Sequence, residues 1–417
     1  MGIPYYIASL LKSHKHIQKN CGDRVLDYDR LGIDFNCFLH KYLREDNPVG
    51  SIVAALEDLL TNVVRAKQVY IAFDGLVPYA KMVQQRYRRM RKSDATGFDK
   101  HQISPGTPFM KDLAETLKFL YPNMVISGTD EPGEGEHKIF QWLRSVPAEE
   151  RKNICIYGLD ADLVLIAIAQ SHLGNIEIIR EREDNGFSTF SIPKLMEVLP
   201  VDPDTYVRAS ILLFGNDFLP NFAMFSLRED GYPRAMHYLK GPGLKAAAAD
   251  EVKVLKKRSK ETDRKIVSSD GHALEERFAL HGMDGILNWE PVVYAFKKTY
   301  EWVLHYFKTS EVLDWCWYYP YPEAPLFATW DEFEVTDPFV WENPVPPYTV
   351  EDQLRFILPE RSLRAAGLEP RFPDELYEEG VDSRHPWMKR FAWECDPYIS
   401  IPLGQLTSVA EVHLPSF

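Results

Sequence analysis

Cysteine is scarce and never paired along the chain: Cys21, Cys37, Cys155, Cys316 and Cys395 stand alone, odd in number and without a Cys-x-x-Cys. A disulfide framework and a structural zinc site are therefore disfavoured, and a reduced compartment is expected. No run of about 18 apolar residues is present, so nothing reads as a transmembrane helix. The N-terminus has neither the basic nor the apolar stretch of a signal peptide, and Tyr6 stands where N-myristoylation requires Ser or Thr. These absences predict a cytoplasmic protein without a membrane partner, a nuclear location remaining open. Positive charge is also short: 48 Lys and Arg against 61 Asp and Glu give a formal net charge of -13, the wrong sign for general adhesion to nucleic acid. Disorder is excluded, because 417 residues with 45% hydrophobic content can bury a large core.

What the chain does have is acid in particular places. LGIDFN, YIAFDG, EPGEGEHK, ICIYGLDADL and LLFGNDFLP carry Asp34, Asp74, Glu134, Glu136, Asp160, Asp162 and Asp217. Nearly every acid adjoins an apolar run of strand character. At the carboxyl ends of parallel strands, acids distant in sequence converge on one crevice. So many carboxylates cannot all ionise together unless divalent cations neutralise them. Hard oxygen ligands without interspersed Cys or His favour Mg2+, with Mn2+ able to substitute. The matching chemistry is in-line attack on a phosphodiester with two ions.

From residue 1 to about 240, short apolar runs such as VYIAF, MVIS and IEIIR alternate with helical patterns such as SIVAALEDLLTNVVRA. An α/β fold is expected, with a mostly parallel central sheet flanked by helices. Residues 241–282 turn polar and charged and read as a linker with some helix. Residues 283–417 become aromatic and proline-rich, a second region that needs the first as a packing surface. The expected division is thus 1–240, 241–282 and 283–417.

After Pro78, the residues Lys81, Gln85, Arg88 and Arg89 recur at helical spacing and share one helix face. Three cations and an amide suit a doubly charged phosphate; a solvated basic face or a nuclear-localisation signal is the plainer reading. His40, six residues beyond Asp34, reads by itself as structural. Asn36, His137 and Lys138 are candidates for supporting the acids or contacting substrate backbone.

At these residues the chain resembles the Xrn family of 5'-to-3' exoribonucleases. MGIPYY, IDFNCFLH, FDGLVPYAKMVQQRYRR, ISPGTPFM, EPGEGEHKIF, YGLDADLVL and GNDFLP run in the family's order, and WCWYYPYPEAP and FILPERS match its second conserved region. The resemblance implies a PIN/flap-nuclease-like core with the C-terminal region wrapping it, and the seven acids as ligands of two Mg2+ ions. It implies that Lys81, Gln85, Arg88 and Arg89 hold a terminal 5'-monophosphate, and that His40 stacks on the first base opposite Trp315 or Trp317. The expected activity is processive, Mg2+-dependent degradation of single-stranded 5'-monophosphorylated RNA to nucleoside 5'-monophosphates, as in mRNA decay. Three departures stand out: a short segment between Arg91 and Ile103, Tyr5 where the family usually has a basic residue, and an end at 417 that reads as a pared-down catalytic unit. The alternatives are a structure-selective flap-type DNA nuclease, a non-catalytic RNA-binding scaffold, and a phosphatase with the Asp160-Asp162 pair as nucleophile. Protein partners are not legible.

Overall fold

The computed structural model describes residues 2–372 and Tyr377, apart from 4, 23, 45, 91–98, 183, 185, 263–289 and 322–323. Residues 91–98 of the short segment before Ile103, residues 263–282 of the expected linker, Cys395 and most of the chain past 372 lie outside the described residues.

Seven strands form one sheet in the order β1-β7-β6-β5-β2-β3-β4. They are β1 (Gln18–Asn20), β2 (Leu26–Asp34), β3 (Val64–Ala72), β4 (Val125–Ser127), β5 (Asn153–Tyr157), β6 (Asn175–Glu181) and β7 (Phe187–Ser191). The block from β6 through β5, β2 and β3 to β4 is parallel, and β7 and β1 add an antiparallel margin. Parallel strands are covered on both faces and so read as continuous apolar runs. Within β5, Ile154 and Ile156 enter one core, while Cys155 and Tyr157 enter the other, as the two-residue alternation of a strand requires. The α/β fold with a mostly parallel sheet is therefore present.

One local reading needs correction. The run before Asp217 is not a strand: Leu212 to Phe214 close the helix Pro203–Phe214, which Asp202 caps by accepting from Thr205 N at 3.0 Å. A short apolar run does not distinguish a buried strand from a buried helix segment. Asp34 ends β2; the preceding β1 is polar and carries no apolar signal in the sequence.

Helix Leu244–Thr262 buries Ala247 and Leu255 and packs on helix Phe327–Glu332. Helix Glu290–Thr309 buries Trp302, Val303, Tyr306 and Phe307 and lies against helices Asp162–Ala169 and Pro203–Phe214. A capping box at Thr349 and Asp352 starts helix Val350–Ile357, which packs on helix Tyr79–Arg89. Between them, Leu76, Val77, Tyr79 and Met82 share an apolar cluster with Trp315, Leu354 and Phe356. Helices Glu290–Thr309 and Val350–Ile357 thus pack on helices that flank the sheet, and the second clamps the loop that follows β3. No helix among the described residues is long and apolar enough to cross a membrane.

Candidate active site

Asp34 is the last residue of β2 and pairs in register with Ala72, the last residue of β3. Asp74 follows two residues on, and Asp160 comes three residues after β5, the other neighbour of β2. Three parallel strands therefore deliver acids to one end of the sheet. From β4 the chain passes to Glu134, the N-cap of helix Gly135–Ser145, with Glu136 in its first turn. Carboxylate oxygens of Asp34, Asp74 and Glu136 lie within 4.8 Å of one another, close enough to share one cation.

The loops are tied down locally. The Asp74 amide donates to Asn36 Oδ1 at 3.1 Å, and Gly135 N donates to Asp74 Oδ1 at 2.8 Å. Lys138, buried, donates to the carbonyls of Phe73 and Gly128, both at 2.8 Å, and so joins the ends of β3 and β4. Burial lowers its pKa to about 8, against the pull of Asp74 and Glu131. Asp217 is presented by a turn in which Asn216 Oδ1 accepts from Phe218 N and Leu219 N. Gly215, at φ +68° and ψ 178°, enters that turn in a region nearly closed to other residues, and a Cβ there would meet Asn221 N at 2.5 Å. At the chain start, Gly2 abuts the Asp162 carboxylate.

Lys81 is the second positive element. Its Nζ lies 2.6 Å from Glu134 Oε2 and 2.8 Å from Asp217 Oδ2, with all three side chains buried. Burial opposes its charge, but Asp217, Glu134, Glu136 and Asp162 outweigh that and raise its pKa. One ammonium does not neutralise this many acids. Burial, then Asp74 and Asp160, push Asp34 up to about 7; burial, then Asp160 and Asp217, do the same to Asp162. Glu136 is also raised well above the usual carboxylate range, by burial and Glu134. A deeply buried carboxylate group that retains protons near neutrality is the donor set a hard divalent cation fits.

The basic residues do not share one environment. Arg88 is exposed. Arg89 donates through Nε to Ser104 Oγ at 2.7 Å, and burial with the Arg88 charge lowers its pKa to about 9. Gln85 is buried, and its Oε1 has no hydrogen-bond partner. His40 closes helix Phe35–Leu39. The residue is exposed overall, yet partial burial and the charges of Arg88 and Arg89 lower its pKa. Of the two tryptophans, Trp317 donates to Thr299 Oγ1 at 3.0 Å and lies under Lys298 Nζ at 4.2 Å. Trp315 packs beside Leu76, Val77 and Tyr79 at 9% exposure.

His137 is buried, and its ring stacks on Tyr306 at 3.6 Å between centroids; burial and Lys81 hold the imidazole well below its usual pKa. Tyr306 donates its hydroxyl to Glu134 Oε1 at 3.0 Å. Gln353 closes the loop after Asp74 from the other side, accepting from Val77 N at 2.9 Å and donating to Gly75 O at 3.2 Å. Neither Tyr306 nor Gln353 was legible in the sequence; each comes from an element far along the chain, and only the apolar character of its helix gives any signal.

The family described as "XRN 5'-3' exonuclease N-terminus" matches residues 1–97 and 92–182. The 5'-3' exoribonuclease 1 of Saccharomyces cerevisiae is 27% identical over 309 residues, 56% of this chain and 20% of that protein. The 5'-3' exoribonuclease 2 of Schizosaccharomyces pombe is 33% identical over 210 residues, 37% of this chain and 21% of that protein. The chain spans about a fifth of the length of these curated relatives. A solved catalytic core of Rad2 in complex with DNA substrate is 16% identical with a TM-score of 0.43, covering 91% of this chain and 98% of that one.

Proposed function

Since residues 1–182 of the chain belong to the Xrn family of 5'-to-3' exonucleases, we propose that the protein is a processive, Mg2+-dependent 5'-to-3' exoribonuclease. Its substrate is single-stranded RNA with a 5'-monophosphate and its products are nucleoside 5'-monophosphates. The observation that carries this reading is the meeting of Asp34, Asp74 and Glu136 within 4.8 Å, beside Lys81 on the basic helix.

Asp34, Asp74 and Glu136 would hold one cation; Glu134, Asp160, Asp162 and Asp217 are the remaining acids from which a second would draw its ligands, Lys81 lying against Glu134 and Asp217. Divalent cations, when bound, supply the charge that activates an attacking water and stabilises the leaving 3'-oxygen. The protein's own residues do the positioning. Asn36 and Gly135 N orient Asp74, and Lys138 fixes the two strand ends that bear the acids. Lys81, Gln85, Arg88 and Arg89 meet the terminal phosphate, with Arg88 offering the exposed guanidinium. His40 and Trp315 grip the first base, because every base offers a ring face to stack on. Trp317 is engaged by Thr299 and Lys298 and serves packing. The isolated thiols suit a reducing, cytoplasmic setting.

The test is side-by-side digestion of RNA and DNA oligomers of one sequence, each with a 5'-monophosphate, in Mg2+ and in EDTA. RNA shortened from its 5' end only with Mg2+ is expected. Preference for DNA would favour a flap-type nuclease, and no turnover on either would leave a binding scaffold.

A further inference from the structure

Resting on that nuclease reading, we propose that Tyr306 is a positioning residue of the active site. Its hydroxyl orients the Glu134 carboxylate toward a divalent cation, so that the helix Glu290–Thr309 helps to fix a centre whose acids all come from the first 220 residues.

Glu134 is 2% exposed, and both its oxygens are engaged: Oε1 accepts from the Tyr306 hydroxyl at 3.0 Å, and Oε2 lies 2.6 Å from Lys81 Nζ. A glutamate has several rotatable bonds and reaches a fixed ligand position only when its neighbours remove that freedom. Tyr306 is suited to do so because its own ring is buried and packed against three others. It stacks on His137 at 3.6 Å with 20° between planes, and Trp302 and Phe218 flank it at 5.2 and 6.0 Å. His137 belongs to the helix that Glu134 caps, and Phe218 follows Asp217. The tyrosine thus locks against both acid-bearing segments while its hydroxyl holds one carboxylate. Partners of this kind, one bond beyond the ligands, commonly change metal affinity or activity by 10- to 100-fold. The plainer role is a buried phenol that merely finds an acceptor. The two roles differ in what happens to metal binding.

The experiment is calorimetric titration of Mn2+ into the full chain as wild type, Tyr306→Phe, Glu134→Gln and the double variant, each with a thermal melt. Tyr306→Phe keeps the ring and its stacking and removes only the hydroxyl. It should lower Mn2+ affinity by roughly tenfold or more, while Tm moves by no more than about 4 °C. The double variant should bind like Glu134→Gln alone, since the hydroxyl acts through that carboxylate. Wild-type affinity in Tyr306→Phe would overturn the assignment. So would an equal loss in the Glu134→Gln background, or a Tyr306→Phe chain that fails to fold. A protein that binds Mn2+ with this tyrosine dependence but leaves RNA intact would keep the assignment and remove the nuclease reading; one that binds no Mn2+ would remove both.

Discussion

The Lys81 ammonium donates to Asp217 Oδ2 at 2.8 Å, in a setting where both side chains are buried. A lysine at the root of the basic helix face is therefore a counter-ion of the acid cluster as well as a candidate phosphate ligand. Removing one partner of a buried pair leaves a charge uncompensated, at a cost of about 3 to 5 kcal/mol.

Lys81→Ala should accordingly lower Tm in EDTA, and added Mn2+ should recover more of the loss in the variant than it adds to wild type. Parallel melts with and without Mn2+ read this. An unchanged Tm in EDTA would mean that the pair contributes nothing to stability.

The acid cluster also sets a pH dependence. Asp34 and Asp162 have folded-state values of about 7 against an ordinary 3.8, so the folded protein holds protons that the unfolded chain has released. Their contribution to stability is full below the unfolded value and falls as pH rises through about 7. Histidines with lowered pKa, His137 above all, act in the opposite sense, but only below about pH 6.5. Between pH 6.5 and 8 the metal-free protein should lose stability, and Asp34→Asn should flatten the slope. Melts in EDTA across that window test it, and Mn2+ affinity should rise over the same range as cations displace protons.

The basic face separates into two roles. Arg88 is exposed, whereas Arg89 is tied to Ser104. Arg88→Ala should cut the rate preference for 5'-monophosphate over 5'-hydroxyl RNA with little change in Tm, a charge-assisted bond contributing about 1.5 to 3 kcal/mol. Arg89→Ala should lower both the preference and the melting temperature. An unaltered rate ratio in both variants would leave the face merely solvated.

Stacking is read by processivity. His40→Ala and Trp315→Ala should turn complete digestion into a ladder of partly shortened RNAs, since a stacked base contributes roughly 1 to 3 kcal/mol. Trp315, 9% exposed beside Leu76, Val77 and Tyr79, and Trp317, bonded to Thr299, should each also lower Tm on replacement by Ala, so a thermal melt accompanies each assay. Complete digestion by well-folded His40→Ala and Trp315→Ala proteins would remove the stacking grip.

Much of this arrangement was legible because parallel strands put their carboxyl ends together: Asp34, Asp74 and Asp160 could be placed from VYIAF and ICIYGL without knowing the strand order. The helix face from Lys81 to Arg89 followed from spacing alone. The direction of the Lys81 side chain did not, because spacing fixes a face and says nothing of which opposing group captures the ammonium. Asp217 was found as the acid of LLFGNDFLP, although the run before it proved helical. Tyr306 lies 172 residues from Glu134, and a contact of that range leaves no local pattern. Sequence alone left Trp315 and Trp317 equivalent; the contacts that distinguish them, Trp317 with Thr299 and Lys298 and Trp315 with Leu76, Val77 and Tyr79, come from elements whose packing the sequence does not reveal.

The central claim is metal-dependent, end-selective hydrolysis, and the most direct measurement is the digestion rate of 3'-labelled RNA bearing a 5'-monophosphate, a 5'-triphosphate or a 5'-hydroxyl. Wild type and Asp160→Asn would be compared in Mg2+ and in EDTA. Rapid loss of the monophosphate substrate alone, only with Mg2+, and a fall of orders of magnitude in Asp160→Asn are expected. Equal rates on all three ends, turnover in EDTA, or wild-type rates in Asp160→Asn would contradict it.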